Sequence, residues 1–230
     1  MKAASSETLR TAAQQVAHDR RQEEILEKVA LLFAAHGYAD TDTQFLADQL
    51  QVGKGTLYRY FRSKEELFLA AVDFGMRKLH ESVCASVALA VDPMDRIRQG
   101  VRGYLAFFVK HPEIVELMIQ ERAIFRDQRK STYFHRQKEF AKQWQDHYRQ
   151  LIADGLFRDM PAERISNIIS ELLYGAMFTN FFSGGVPNFE SQAAEIMDVV
   201  LEGILSDSQR QQRRAAAAES IGSSTASEGF

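Results

Sequence analysis

Apolar residues recur every three or four positions along most of the chain, and no stretch alternates β-branched with polar residues between turn signals. The pattern predicts an all-helical protein. Ile25, Val29, Leu32 and Phe33 form one face of a first helix that stops near His36-Gly37. Leu46 and Leu50 lie one turn apart on a short second helix, with Thr43 as its expected N-cap. Leu57, Tyr58 and Phe61 mark a third, which is short because Ser63 opens another. Ser63 and Glu66 have the spacing of a capping box, each side chain reaching the other's free backbone N–H.

A long fourth helix carries Leu67, Ala71, Gly75, Leu79 and Val83 down one side. Asp92-Pro93 starts a fifth, with Ile97, Val101, Tyr104, Leu105 and Phe108 in helical register, since proline suits a first turn. His111-Pro112 resets the pattern before Ile114, Val115, Met118 and Ile119, and a charged segment from Glu121 to Thr132 interrupts it. Phe134, Ala141, Trp144, Tyr148 and Leu151 predict a seventh helix ending near Gly155. An eighth runs from Met160-Pro161 to Ser183, and a ninth, capped by Asn188, passes through Ala194, Met197, Val200, Leu201 and Ile204. Four segments are expected: a flexible arm over 1–18 (a frayed helical extension being the alternative), a compact unit over 19–79, a larger helical unit over 80–206, and a polar disordered tail over 207–230.

Composition narrows the function. The 230 residues are 45% hydrophobic and 26% charged, with a net charge of −3, so any contact with a polyanion must come from a local patch. The first residues have no apolar signal core, the longest low-charge run is too short to span a bilayer, and the single Cys84 has no partner for an internal disulfide. A cytoplasmic protein with no membrane partner is expected, with Cys84 a small buried filler ahead of a redox sensor. Among the six histidines, His135 and Glu139 stand one turn apart, but two ligands do not make a metal site. No metal or cofactor is expected. The cluster Arg122, Arg126, Arg129 and Lys130 is interleaved with Glu121 and Asp127 and reads as a solvated loop or helix end.

The stretch Gly53–Leu67, GKGTLYRYFRSKEEL, resembles a phosphate-binding loop but fails as one. Its lysine lies between the glycines, and no strand precedes it. DNA is the better fit. From Gly53 to Lys64 there are four basic residues (Lys54, Arg59, Arg62, Lys64) and no acidic one, whereas Arg20 to Lys78 holds nine of each sign. Two short helices with the second one basic make a helix-turn-helix over about 42–61. Lys54 stands at the tip within reach of base edges, Tyr58 and Tyr60 offer hydroxyls to phosphates, and Lys64 adds charge at the next helix start.

Phe33, Gly37-Tyr38, Thr41, Thr43, Ala47, GTLYRYF and SKEEL stand in the order seen in the tetracycline-repressor (TetR/AcrR) family of bacterial regulators, which the chain resembles over about residues 20–79. Beyond residue 80 the resemblance is architectural. It implies backbone contacts from Thr43, Tyr58, Tyr60 and Lys64, and groove contacts from Gln44, Lys54, Gly55 and Thr56. Gln51 replaces a common turn glycine, so a left-handed non-glycine is expected there at a cost of about 1 kcal/mol. Gly53 replaces a common serine N-cap, a loss of a few tenths of a kcal/mol. Phe45 occupies a position that is usually polar.

The resemblance also implies dimerisation through the last two long helices, with Ile165, Ile168, Ile169, Leu172 and Ala176 on one and Ala194, Met197, Leu201 and Ile204 on the other. These stripes serve as core as well. Phe107, Phe108, Met118, Phe125, Trp144, Tyr174, Met177, Phe178 and Phe181 are the candidate lining of an apolar effector pocket, with core packing as the competing reading of each. The expected function is a homodimeric repressor released from a near-palindromic operator in double-stranded DNA by a small hydrophobic effector. A regulator without ligand response and a helical enzyme acting on a hydrophobic substrate are the alternatives, and no nucleophile–base pair stands out for the enzyme.

Overall fold

The computed structural model describes residues 2–88, 90–126, 131–184 and 188–202. Nine helices and no strands are found among them: α1 (Lys2–His36), α2 (Thr43–Gln49), α3 (Lys54–Tyr60), α4 (Lys64–Val87), α5 (Pro93–Lys110), α6 (Pro112–Phe125), α7 (Thr132–Ala153), α8 (Ala162–Ser183) and α9 (Phe189–Glu202). Helix stops and starts follow local chemistry. Gly37, Gly155 and Gly184 take positive φ just past α1, α7 and α8, the conformation that ends a helix without a Cβ clash. The Asn188 side chain accepts from the Glu190 and Ser191 amides, capping α9 as expected.

Several details differ from the sequence reading. Where a flexible arm was expected over 1–18, α1 is helical from Lys2, which is the alternative extension. The N-cap of α2 is Asp42, not Thr43: its carboxylate accepts from the Gln44 and Phe45 amides, both at 2.8 Å. The Phe45 amide, followed by that of Gln44, holds the Asp42 carboxyl below its usual range. Ser63 caps α4 by accepting from the Glu66 amide at 3.1 Å. The Glu66 carboxylate, however, reaches the amide of Arg62 instead of Ser63. Helix α6 continues through the charged segment to Phe125, because Glu121 is buried there and accepts from the Thr132 amide, closing the start of α7. Ile204, the tail, Asp127, Arg129 and Lys130 lie outside the described residues.

The N-terminal unit packs α1, α2 and α3 around Ile25, Val29, Phe33, Leu46, Leu57 and Phe61, all buried. Helix α4 is the spine. Its first half adds Leu67, Phe68, Ala71 and Val72 to that core, and its second half packs along α5, α6 and α7. Two polar ties hold the far end: Arg102 donates to Glu190 at 2.6 Å, joining α5 to α9, and Asn180 and Gln192 exchange amide hydrogen bonds between α8 and α9.

The two units meet at the end of α1. Gln120 on α6 accepts from the Tyr38 amide and donates to the Phe33 carbonyl, both at 2.9 Å. Phe33, Tyr38, Phe68 and Phe125 form an edge-and-face aromatic cluster around it. Replacing Gln120 with leucine removes both bonds and strands a half-buried donor. We expect Gln120→Leu to lower unfolding free energy by about 1–3 kcal/mol in urea titration. An unchanged midpoint would show that the amide carries no weight at this junction.

Candidate nucleic-acid interface and effector cavity

The reading head is assembled from short local devices. Gln51 has φ +54°, so the turn between α2 and α3 runs through a left-handed non-glycine, as expected. Gly53 then stands as N-cap of α3 with no side-chain hydrogen bond. Leu57 faces the core, while Gln44, Lys54, Gly55, Tyr58 and Arg59 are exposed and Thr43, Thr56 and Tyr60 are half-buried. Lys54, Gly55, Tyr58 and Arg59 fall within about 140° of the α3 surface at 100° per residue. Thr43 Oγ1 and the Tyr58 hydroxyl lie 3.2 Å apart, coupling the two helices across that surface. Gln44 donates to Asp48 along α2.

Two side chains at the head make contacts within the protein that sequence alone does not foretell. Lys64 donates from Nζ to the Tyr38 carbonyl at 2.9 Å and lies 4.3 Å from the centre of the Tyr38 ring. Its ammonium is anchored, with donors left over, beside the reading face. His18 packs its ring 4.7 Å from that of Tyr60, and the Arg59 guanidinium lies 5.6 Å from the centre of the same tyrosine ring. Sequence placed His18 in a flexible arm, and only the continuous helix α1 brings it to the head. Phe45, the odd residue of α2, packs its edge against His36.

A cavity of about 120 Å³ lies between α4, α5, α7 and α8, roughly ten times the space one water needs. Its wall includes Met76, Leu79, His80, Val101, Phe140, Trp144, Ile169 and Leu173, with Tyr104, Tyr133, Tyr148, Arg136, Gln137 and Ser166 as polar members. Of the effector candidates, Trp144 alone lines it. Phe107, Phe108, Met118 and Phe125 are packed in the core, and Met177 stands behind the wall, accepting from the Tyr104 hydroxyl at 3.9 Å. Tyr174 packs against Tyr133 and Phe178, and Phe181 is half-buried farther along α8. Helical periodicity marks these side chains as inward-facing without distinguishing a packed neighbour from a void.

The polar wall is electrically quiet. The Tyr104 and Tyr133 hydroxyls lie 3.0 Å apart, and burial pushes the Tyr133 phenol up to about 12 and raises that of Tyr104 well above its usual range. Burial likewise raises Tyr148 and pushes His80 down, favouring its neutral ring. His80 stacks on Phe140 at 3.8 Å, with the half-buried Cys84 thiol 3.5 Å from its Nε2. Arg136 makes a two-pronged bond to Asp73, at 2.7 and 2.8 Å, and a third to Glu139. Glu139 also faces His135 at 3.4 Å, and among the described residues no group of three such side chains is placed to hold a metal ion. No helix of the described residues is long and apolar enough to cross a membrane.

The dimer candidates divide. Ile165, Ile169 and Met197 are buried within the protomer, because they sit on the inner stripes of α8 and α9. Ile168 and Leu172 are 46% and 44% exposed, Ala194 is exposed, and Ala176 and Leu201 are half-buried. Phe182 and Val199, which were not singled out for this face, are exposed as well.

Residues 25–71 match the profile of bacterial regulatory proteins of the tetR family, and residues 90–204 match the tetracyclin repressor-like C-terminal domain. The chain belongs to the TetR family. It is 31% identical over 110 residues to the nucleoid occlusion factor SlmA of Vibrio vulnificus, covering 47% of this chain and 56% of that protein. The chain thus spans about half the length of that curated relative. The HTH-type transcriptional repressor KstR2 of Mycobacterium tuberculosis is 27% identical over 191 residues, 80% of this chain and 92% of its own. Among solved structures, the regulator FadR of Bacillus subtilis in complex with stearoyl-CoA shares the fold, with a TM-score of 0.66 at 14% identity over 79% of this chain and 98% of that one.

The left-handed Gln51 offers a direct test of the turn. Its side chain is exposed, so glycine there loses no packing and relieves the Cβ clash. Gln51→Gly should raise stability by up to about 1 kcal/mol, read from the urea midpoint at constant slope. A lower midpoint would mean that the greater freedom of glycine in the unfolded chain outweighs the strain.

Proposed function

We propose that the protein is a ligand-responsive transcriptional repressor that binds a near-palindromic operator as a homodimer in the bacterial cytoplasm and catalyses no reaction. The observation that carries this reading is the exposed face of α2 and α3, where Lys54, Gly55, Tyr58 and Arg59 are presented together without an acidic residue on α3. In this arrangement α3 enters the major groove and Lys54 at its first turn reaches base edges. Thr43, Tyr58 and Tyr60 hydrogen-bond phosphates on either side. Lys64, held by Tyr38, adds a positioned charge to the backbone contact. The transcriptional repressor named among the relatives and the acyl-CoA complex among the structural neighbours support the same class of activity.

Dimerisation places two reading heads on one duplex. The outward side chains Ile168, Leu172, Phe182 and Val199 supply the apolar contact between copies of α8 and α9. An apolar effector in the α4–α8 cavity acts through α4, whose Met76, Leu79, His80 and Val83 line the space while its first turns lie in the head. Displacing α4 changes the separation of the two heads, and the operator is released.

Selection of duplexes from a random library by the full chain should yield a two-fold-symmetric site. On that site, Lys54→Ala should relax preference at one position per half-site, with a loss of about 1–3 kcal/mol confined to the preferred base. Lys64→Ala should weaken every duplex alike and flatten the slope of log affinity against log salt by about one unit per protomer. Equal losses on all sequences for Lys54→Ala would remove it as a base reader. Recovery of no preferred sequence would overturn the proposal itself.

Ile168→Glu combined with Leu172→Glu should convert a dimer to a monomer in light scattering and reduce operator affinity by more than tenfold, because a single helix-turn-helix binds weakly. A dimer that persists in the double variant would place the interface elsewhere.

A further inference from the structure

The cavity contains hydroxyls for which the protein supplies no partner. Tyr148 and Ser166 are 3% and 5% exposed, and both line the cavity, one from α7 and the other from α8. Neither hydroxyl is hydrogen-bonded among the described residues, yet no buried polar side-chain atom is both sealed off and unpartnered. Each oxygen therefore keeps some accessible surface, and the cavity is the space that both residues line. A hydroxyl whose water is displaced by an apolar body loses a hydrogen bond unless the incoming molecule supplies one.

Charge elsewhere on the wall limits what the cavity admits. Arg136 is the cationic member of the cavity wall, and its fork is committed to Asp73 with a further bond to Glu139. Asp73 is approached at 3.8 Å by Arg77 as well, and Glu139 by His135 at 3.4 Å. An anion in the cavity would meet a guanidinium already neutralised by two carboxylates. A cation would find those carboxylates already paired. An ion left without a partner in such surroundings is strongly disfavoured. The neutral His80 ring and the protonated tyrosines add no charge of their own.

We infer that the cavity selects an uncharged, mostly apolar molecule bearing a hydroxyl or carbonyl oxygen, which hydrogen-bonds Tyr148 and Ser166. Arg136 is then a strut between α7 and α4, not the receptor for an acidic group. This rests on the reading of the cavity as the effector site and specifies the chemistry that the site admits. Trp144, Phe140 and the stacked His80 supply flat faces for the apolar body.

Three probes of one shape separate the possibilities: naphthalene, 2-naphthol and 2-naphthoate, each titrated calorimetrically into the full chain. The expected order puts 2-naphthol about tenfold tighter than naphthalene, the gain available from one or two neutral hydrogen bonds, with 2-naphthoate weaker than both. In Tyr148→Phe/Ser166→Ala, 2-naphthol should fall to the affinity of naphthalene while naphthalene itself is unchanged, which also certifies that the variant cavity is intact. Tightest binding by 2-naphthoate, or a naphthol preference that survives the double variant, would overturn the inference. Binding of all three without preference would sink this inference and leave the effector reading standing. Binding of none would remove the cavity as a ligand site, and both would fall.

Discussion

The last turn of α1 ends against the side chain of Gln120, and the joint between the two halves of the protein depends on that meeting. A helix terminus leaves backbone carbonyls unpaired, and the first amides beyond it need partners as well. The Phe33 carbonyl accepts from Gly37 at 2.8 Å and from Gln120 at 2.9 Å, and the Tyr38 amide donates to the same Gln120. Only a side chain that donates and accepts can serve both groups, which a carboxylate or an ammonium cannot do. The positive φ of Gly37 turns the chain so that Tyr38 packs against Phe33, Phe68 and Phe125. The Tyr38 carbonyl then anchors Lys64, so a cation at the reading surface is positioned by a contact that begins on α6.

A second connection runs along the other side of α4. Asp73 is paired with Arg136 of α7 at the cavity wall and approached by Arg77, which reaches Glu23 of α1 at 3.4 Å. Lys78 adds a link to Glu23 at 3.7 Å. These side chains are partly solvated, and isolated pairs of this kind contribute about 0–1 kcal/mol each. The two-pronged Arg136–Asp73 bond is the geometrically defined member, and the others keep Asp73 and Glu23 compensated around it. Helix α4 is thus held by an aromatic cluster near its start and an ionic chain near its middle.

Local chemistry was legible in the sequence wherever one residue decided the outcome. The Ser63 and Asn188 caps depend on a few neighbouring atoms, whereas the left-handed Gln51 and the bare Gly53 cap were expected only from the family resemblance. Adjacent candidates blurred such signals: Asp42 and Thr43 are both good caps, and the register of α2 gives the position to Asp42. The cavity was less legible. Phe107, Phe108 and Met118 share the periodicity of wall residues but meet packed neighbours, while Tyr148 and Ser166 lie on helix faces that look like ordinary core. The length of α1 depends on weakly amphipathic residues before Arg20, where too few large apolar side chains recur to define a buried face.

The void is not a sign of loose packing around it. Gly100 in the middle of α5 sacrifices about 1 kcal/mol of helix propensity relative to alanine, yet a Cβ there would meet the Trp144 indole at 2.5 and 2.7 Å. Gly75 similarly admits Ile114, whose nearest atoms would lie 2.7 Å from a Cβ. Helices α4, α5, α6 and α7 thus approach closely enough to exclude a methyl group at the margins while about 120 Å³ stays open between them. Filling it returns contacts that the folded chain lacks, and most of them lie on α4 and α7, the two helices that Arg136 and Asp73 tie together.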